Sequence, residues 1–96
     1  MLTWVIYDIA DDRRRSKAAR ACLQAGLIRV QKSVFLGTLA DNERDELTVG
    51  LESLIDPGRD SVYVFPMCRP DFAKIALLGQ AFDRRRATDE LRTLLV

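Results

Sequence analysis

The chain has 96 residues, 48% of them hydrophobic and 30% charged, with a formal net charge of +1 and no histidine. That length is one domain with a thin core, burying a little over ~60% of the surface its unfolded chain would expose. Imidazole catalysis and histidine metal sites are excluded, so acid–base or metal chemistry must come from carboxylates or from Tyr7 or Tyr63.

The cysteines, Cys22 and Cys68, form neither a disulfide framework nor a zinc spacing and read as buried thiols. No charged-then-apolar leader is visible, and the apolar runs are too short to cross a bilayer. The expectation is a soluble, cytoplasmic protein with no membrane contact.

The first strand is expected over Leu2–Ile9. Apolar residues occupy both of its alternating faces: Leu2, Trp4 and Ile6 with Asp8 on one, Thr3, Val5, Tyr7 and Ile9 on the other. Such a strand is covered on both sides. One cover would be the domain's own helices, the other a second subunit. Asp11 is placed to cap a helix from Asp12 to Ala25, with Gly26 just past its end. Ala18, Ala19, Cys22 and Leu23 form its inner face. Arg13, Lys17, Arg20 and Gln24 recur on the opposite face. Cations at a helix N-terminus oppose the macrodipole by about 0.3–1 kcal/mol each, so the Arg13-Arg14-Arg15 block is not there for the helix alone.

Leu27–Gln31 and Ser33–Leu39 read as a hairpin. Lys32 and Ser33 suit a tight turn poorly, and a bulged crossing is the alternative. Asp41 is placed to cap a second helix, with Glu43, Asp45 and Glu46 in its favourable first turn. Leu47, Leu51, Leu54 and Ile55 are its inner stripe, and Pro57-Gly58 ends it. Ser61–Phe65 is a strand stopped by Pro66, Met67–Phe72 a loop, and Lys74–Gly79 a fifth strand. Residues 80–96 form a tail with a second arginine run, Arg84-Arg85-Arg86, and with Thr88 placed to cap a short helix carrying Leu91, Leu94 and Leu95.

The order β-α-β-β-α-β is the ferredoxin-like pattern. It is an α+β fold, here over residues 1–79: an antiparallel sheet, two helices on one face, an extra C-terminal strand, then the tail. The other sheet face is left open and apolar, which favours a homodimer through the sheet faces.

Charge is segregated along the chain. Residues 13–40 hold Arg13, Arg14, Arg15, Lys17, Arg20, Arg29 and Lys32 and no acid, whereas residues 41–60 are strongly acidic. This asymmetry assigns one face to a polyanion and another to solvent or a basic partner. Plain solvation is the ordinary reading of a charged helix face. Three features weigh against it: no acid interrupts the run, the block opposes the dipole, and arginine, suited to bidentate phosphate contacts, predominates. Arg13, Arg14, Arg15, Lys17, Arg20 and Arg29 are the candidate nucleic-acid contacts. Ser33–Leu39 lacks the aromatic signature of an RNA-recognition sheet, so phosphate is positioned without bases being read.

Asp8 is the candidate catalytic and metal-binding residue. A carboxylate at the C-terminal end of a central strand is fixed by the strand and left accessible by the following loop. The alternative is a carboxylate that accepts hydrogen bonds from the start of the first helix. In a twofold dimer, two Asp8 side chains near the axis could share one Mg²⁺, which needs few protein carboxylates and keeps several waters. A metal there could activate water against a phosphodiester. Tyr7 and Phe35 are either core aromatics or neighbours of the site at a dimer or substrate surface.

Three motifs in order then resemble a known family. They are Val5-Ile6-Tyr7-Asp8-Ile9 with Asp11-Asp12-Arg13-Arg14-Arg15; Arg29-Val30-Gln31-Lys32-Ser33-Val34-Phe35; and Ile55-Asp56-Pro57 with Asp60-Ser61-Val62. They look like the second CRISPR-associated (Cas) protein, the small subunit of the spacer-acquisition machinery, from about Leu2 to Gly79. The resemblance implies a ferredoxin-like homodimer that bridges two dimers of the CRISPR integrase and holds a short DNA duplex for insertion into the repeat array. It also implies a Mg²⁺- or Mn²⁺-dependent endonuclease on RNA or DNA. By similarity Asp8 is the metal ligand, Arg13, Arg14 and Arg15 lie on the nucleic-acid side, and Phe35 lies near the site. The scaffold role is the firmer implication. The competing reading is a ribonuclease toxin of the related virulence-associated family, which shares the fold. The tail matches no motif of the family, where such segments contact the neighbouring protomer or the integrase.

Overall fold

A computed structural model describes residues 1–79 of the chain. The tail, with its arginine run and the helix expected from Thr88, lies outside the described residues. Seven elements follow one another: β1 (Leu2–Asp8), α1 (Asp12–Gln24), β2 (Ile28–Gln31), β3 (Val34–Thr38), α2 (Asp41–Leu54), β4 (Ser61–Met67) and α3 (Arg69–Ala73). The sheet order is β2-β3-β1-β4, with every neighbouring pair antiparallel. This is the expected α+β, ferredoxin-like arrangement, and it puts β1 at the centre. Among the described residues no helix is long and apolar enough to cross a membrane.

The alternation of β1 divides the core in two. Val5, Tyr7 and Ile9 pack with Phe35 and Leu39 against Ala18, Ala19 and Cys22 of α1 and Leu47 and Leu51 of α2. Leu2 and Trp4 face the other way and pack with Val30 and Leu36. The second face is partly covered from within the chain. Phe72 and Ile75 pack against that cluster, and the Trp4 ring lies near those of Phe65 and Phe72, with centroids 6.2 and 6.3 Å away. At the other end of this face Tyr63, the register partner of Ile6, is 62% exposed and Ile6 is half-buried.

Local chemistry explains the helix ends. Asp11 caps α1 by accepting the Arg14 N–H. At its other end Gly26, with φ +94°, lets its own N–H reach the Leu23 carbonyl and the Leu27 N–H reach that of Cys22, which is the Schellman pattern. Gly37 lies where this turn meets β3: a Cβ there would fall 2.9 Å from Leu27 Cδ2 and 3.2 Å from Leu27 Cα. In β2, Arg29 pairs with Phe35 and Gln31 with Val34. That register shift is a β-bulge, the bulged alternative for the hairpin.

Several expectations are corrected. Leu23, expected inside, is 50% exposed, because α1 meets the sheet through its smaller residues. The N-cap of α2 is Ala40 rather than Asp41; its N–H donates to the Glu43 carboxylate at 2.8 Å. Pro66 does not stop β4, which continues to Met67 with Pro66 opposite Thr3; β4 is an edge strand, where a missing N–H need not break a ladder. The expected loop at Met67–Phe72 contains α3, capped at Cys68, with Pro70 in its first turn, where a helix N–H has no intrahelical partner to lose. Cys68 is therefore exposed, not buried. No strand forms over Lys74–Gly79. After α3 the chain crosses the second sheet face, where Ile75 packs, and among the described residues no strand pairs with it.

Candidate functional site

Asp8 is the last residue of β1 and pairs with Ser61 of β4. Strand alternation points its side chain to the face opposite the helices, in line with Trp4 and Ile6. It is exposed, and among the described residues no hydrogen bond or ion pair engages its carboxylate. The alternative expected for it, accepting bonds from the start of α1, is carried out by other residues. Asp11 is the cap. Asp60, immediately before β4, holds the turn: Oδ1 accepts the Ala10 N–H at 3.0 Å and Oδ2 the Asp56 N–H at 2.9 Å.

Two members of the arginine block turn toward the same loop. Arg14 makes a two-pronged contact with Asp60, Nε to Oδ2 at 2.7 Å and Nη2 to Oδ1 at 3.2 Å. The Asp60 side chain is fully buried. The Arg14 guanidinium holds the Asp60 carboxyl well below the usual carboxylate range against the opposing effect of burial, with the Asp56 and Ala10 amides adding to it. Arg15 Nη1 donates to the Ile9 carbonyl at 3.0 Å and to that of Ala10 at 3.4 Å, and its guanidinium pairs with Asp12. Asp11 is shifted below its ordinary range chiefly by the Arg14 N–H it accepts.

On the helix side, α1 and the β2–β3 hairpin enclose an open groove of about 500 Å³ lined by Asp12, Arg15, Ser16, Ala19, Arg20, Leu23, Arg29 and Lys32. Four cations and one acid line this groove, so its field favours an anion. One of its cations rests on a buried aromatic pair. The Arg29 guanidinium sits 5.1 Å from the Phe35 ring centroid, and Phe35 stacks on Tyr7 with centroids 6.0 Å apart. Burial raises the Tyr7 hydroxyl pKa and Arg29 draws it partly back. Burial also pushes the Cys22 thiol up to about 12, which leaves it protonated and unreactive at neutral pH.

The structure thus gathers Arg15, Arg20 and Arg29 of the sequence-derived set in one groove. Arg13 and Lys17 are exposed elsewhere on α1, and Arg14 is directed to Asp60. Tyr7 and Phe35 are buried on the helix side, across the sheet from the Asp8 side chain, and serve as the support under Arg29. Lys32 was counted in the basic run but not among the contacts; its place in a turn beside β2 is the signal for it. Asp60 was missed as a site residue, since its partner Arg14 lies 46 positions away. Among the described residues no three His, Cys, Asp or Glu side chains converge on a metal site. At the end of β1 the Asp8 carboxylate is exposed and stands without a second metal-ligating pair beside it among the described residues. That fits Mg²⁺, which is held through one or two carboxylates and otherwise keeps water, and it leaves room for a second copy's carboxylate.

The sheet topology and the cationic groove define a small ferredoxin-like α+β protein with an anion-attracting surface. Residues 1–75 match the family described as CRISPR associated protein Cas2, and the chain belongs to that family. It is 38% identical over 69 residues to the CRISPR-associated endoribonuclease Cas2 1 of Archaeoglobus fulgidus, covering 72% of this chain and 73% of the relative. It is 36% identical over 76 residues to the CRISPR-associated endoribonuclease Cas2 of Korarchaeum cryptofilum, covering 79% and 82%. Among solved structures, Streptococcus pyogenes Cas2 superposes with a TM-score of 0.70 at 26% identity, covering 82% of this chain and 100% of that one. A hypothetical protein from Thermus thermophilus gives 0.69 at 35% identity, covering 81% and 89%.

Proposed function

We propose that the chain is a dimeric adaptor of CRISPR adaptation that grips the backbone of duplex DNA and bridges integrase subunits. The observation that carries this reading is the groove in which Arg15, Arg20, Arg29 and Lys32 converge. The groove is open, so a polymer can lie along it. Arg29 is already seated on Phe35 and loses less freedom on meeting a phosphate than a mobile side chain does. Such contacts position a duplex without reading it. The exposed Tyr63 beside Ile6 on the open sheet face supports a second copy seated there, and family membership supports the integrase as partner.

The test is duplex affinity measured against salt. Loss of one phosphate contact lowers the slope of log K against log salt by about 1, so Arg20→Ala and Arg29→Ala should each do so, and both should weaken co-purification of duplex with an integrase. A slope unchanged in the double variant would sink the reading.

The free Asp8 carboxylate favours a second reading, a Mg²⁺-dependent endonuclease. Relatives in Archaeoglobus fulgidus and Korarchaeum cryptofilum bear the name endoribonuclease. Asp8 would hold Mg²⁺ together with the Asp8 of a second copy. A bound divalent ion would supply Lewis acidity at a phosphoryl oxygen and would orient and acidify a bound water. The chain's own part is to hold Asp8 at a fixed strand end, paired with Ser61 of β4. Asp8→Asn should abolish Mg²⁺-dependent cleavage while duplex binding persists. Cleavage that survives unchanged in the variant would belong to a contaminant.

A further inference from the structure

We infer that Arg14 and Asp60 are positioning residues for Asp8, and that Arg14 is thereby withdrawn from the phosphate-binding set. The inference rests on the reading of Asp8 as the site carboxylate. The β1–β4 ladder ends at the pair Asp8 and Ser61. Beyond it the next turn is held by Asp60, the residue before Ser61, whose Oδ1 accepts the Ala10 N–H two residues after Asp8. Asp8, Ile9, Ala10, Asp60 and Ser61 therefore form a closed ring: chain on two sides, the strand pair at one end and a carboxylate–amide bond at the other. The ring limits how far the Asp8 backbone can swing.

Arg14 fixes the carboxylate that closes the ring. Its Nε and Nη2 are both committed to Asp60, and Asp60 has no exposed side-chain surface. A phosphate that recruited Arg14 would leave a buried carboxylate short of its charged partner, which is costly. Arg13 and Arg20 carry no such cost. The arginine block is thus divided by its own geometry. Arg14 ties α1 to the strand end, while Arg13 and Arg20, exposed on the same helix, remain available to the polyanion.

The test uses the full chain with Asp60→Asn, Arg14→Gln and Arg14→Lys. Asp60→Asn should speed Ala10 amide exchange by about tenfold or more, as a local opening does, and shift the Asp8 carboxyl ¹³C resonance. The Val5 and Leu36 amides should keep their protection. Arg14→Gln leaves both backbone donors on Asp60, so it reports on the same signals even where Asp60→Asn fails to fold. Its salt slope for duplex binding should equal that of the unmodified chain, whereas Arg20→Ala lowers it by about 1. In Mg²⁺-dependent cleavage kcat should fall with KM unchanged, and Arg14→Lys should recover part of it. Unaltered Ala10 and Asp8 signals in Arg14→Gln and Asp60→Asn would overturn the inference, as would a slope lowered by about 1 in Arg14→Gln. Absence of any Asp8-dependent cleavage in the unmodified chain would remove the nuclease reading alone, and the spectral and binding results would still decide the positioning role.

Discussion

The two long helices lie on the same face of one sheet and are nearly equal in length, 13 residues in α1 and 14 in α2, yet their charges run in opposite senses. The first turn of α2 holds Asp41 and Glu43, which the helix dipole favours. Glu43 accepts the Ala40 N–H and Arg44 pairs with Asp41 at 3.0 Å, so the needs of the helix itself account for these charges. In α1, Arg13, Arg14 and Arg15 stand where the dipole disfavours them, offset only by Asp11 and Asp12. What accounts for them lies outside the helix. Arg14 reaches Asp60, Arg15 the Ile9 and Ala10 carbonyls, and Arg15 and Arg20 the groove. Charge that works against its own helix points to a task beyond it.

The inner faces differ as well, and they give the largest expected effects. α1 buries Ala18, Ala19 and Cys22, whereas α2 buries Leu47 and Leu51. Leu51→Ala should cost about 2–5 kcal/mol through the cavity it leaves. Ala18→Leu should cost about 1–3 kcal/mol, because α1 sits close to the sheet and has no room for added methylenes. Urea unfolding measures both. Equal tolerance at the two positions would mean that the helices do not differ in their distance from the sheet.

Binding offers the next break in the comparison. Arg20→Glu should lower the salt slope of duplex binding by about 1 for the lost cation, with a further fall in affinity from the added anion. Glu46→Gln on α2 should leave the slope as it is. A slope that responds to Glu46 and not to Arg20 would move the interface to the wrong helix.

Acid exposes the Arg14–Asp60 tie. The ordinary value for the Asp60 carboxyl is 3.8 and the folded value lies below it. Between the two, the unfolded chain binds a proton that the folded chain refuses, so stability falls as pH falls. The contribution is complete above pH 3.8 and is lost as pH drops through the folded value. Asp11, also lowered, acts in the same direction. Asp60→Asn should therefore flatten the acid limb of a stability–pH curve measured by urea unfolding.

What was legible in the sequence follows from the range of each interaction. The inner stripe of α2 and the two faces of β1 repeat at 3.6 and 2 residues, and the Asp11 cap and Gly26 stop act within one turn, so neighbouring residues reveal them. Pro66 and Pro70 misled because a proline's effect depends on its place: one lies on an edge strand, the other in the first turn of a helix. Lys74–Gly79 has a strand's composition, but a strand needs a partner, and composition does not supply one. At the site, Asp8 and the basic run were visible as residue types at characteristic positions. The division of the arginines was not, since it depends on Asp60 arriving from the far end of α2.

The smallest effect tests the opening contrast most directly. Arg13 is exposed and stands in the first turn of α1, so Arg13→Gln removes an unfavourable charge–dipole term. It should raise stability by about 0.3–1 kcal/mol at low salt. Glu43→Gln in the first turn of α2 removes a favourable one and weakens the bond to the Ala40 N–H, so it should lower stability by a similar amount. Both shifts should shrink as salt is added, because surface charge is screened over about 10 Å at 0.1 M. If Arg13→Gln raises stability and weakens duplex binding together, the cation at that position is kept for the polyanion at the helix's expense. If it lowers stability, Arg13 serves the fold, and the contrast between the two helices narrows to Arg20 and the groove.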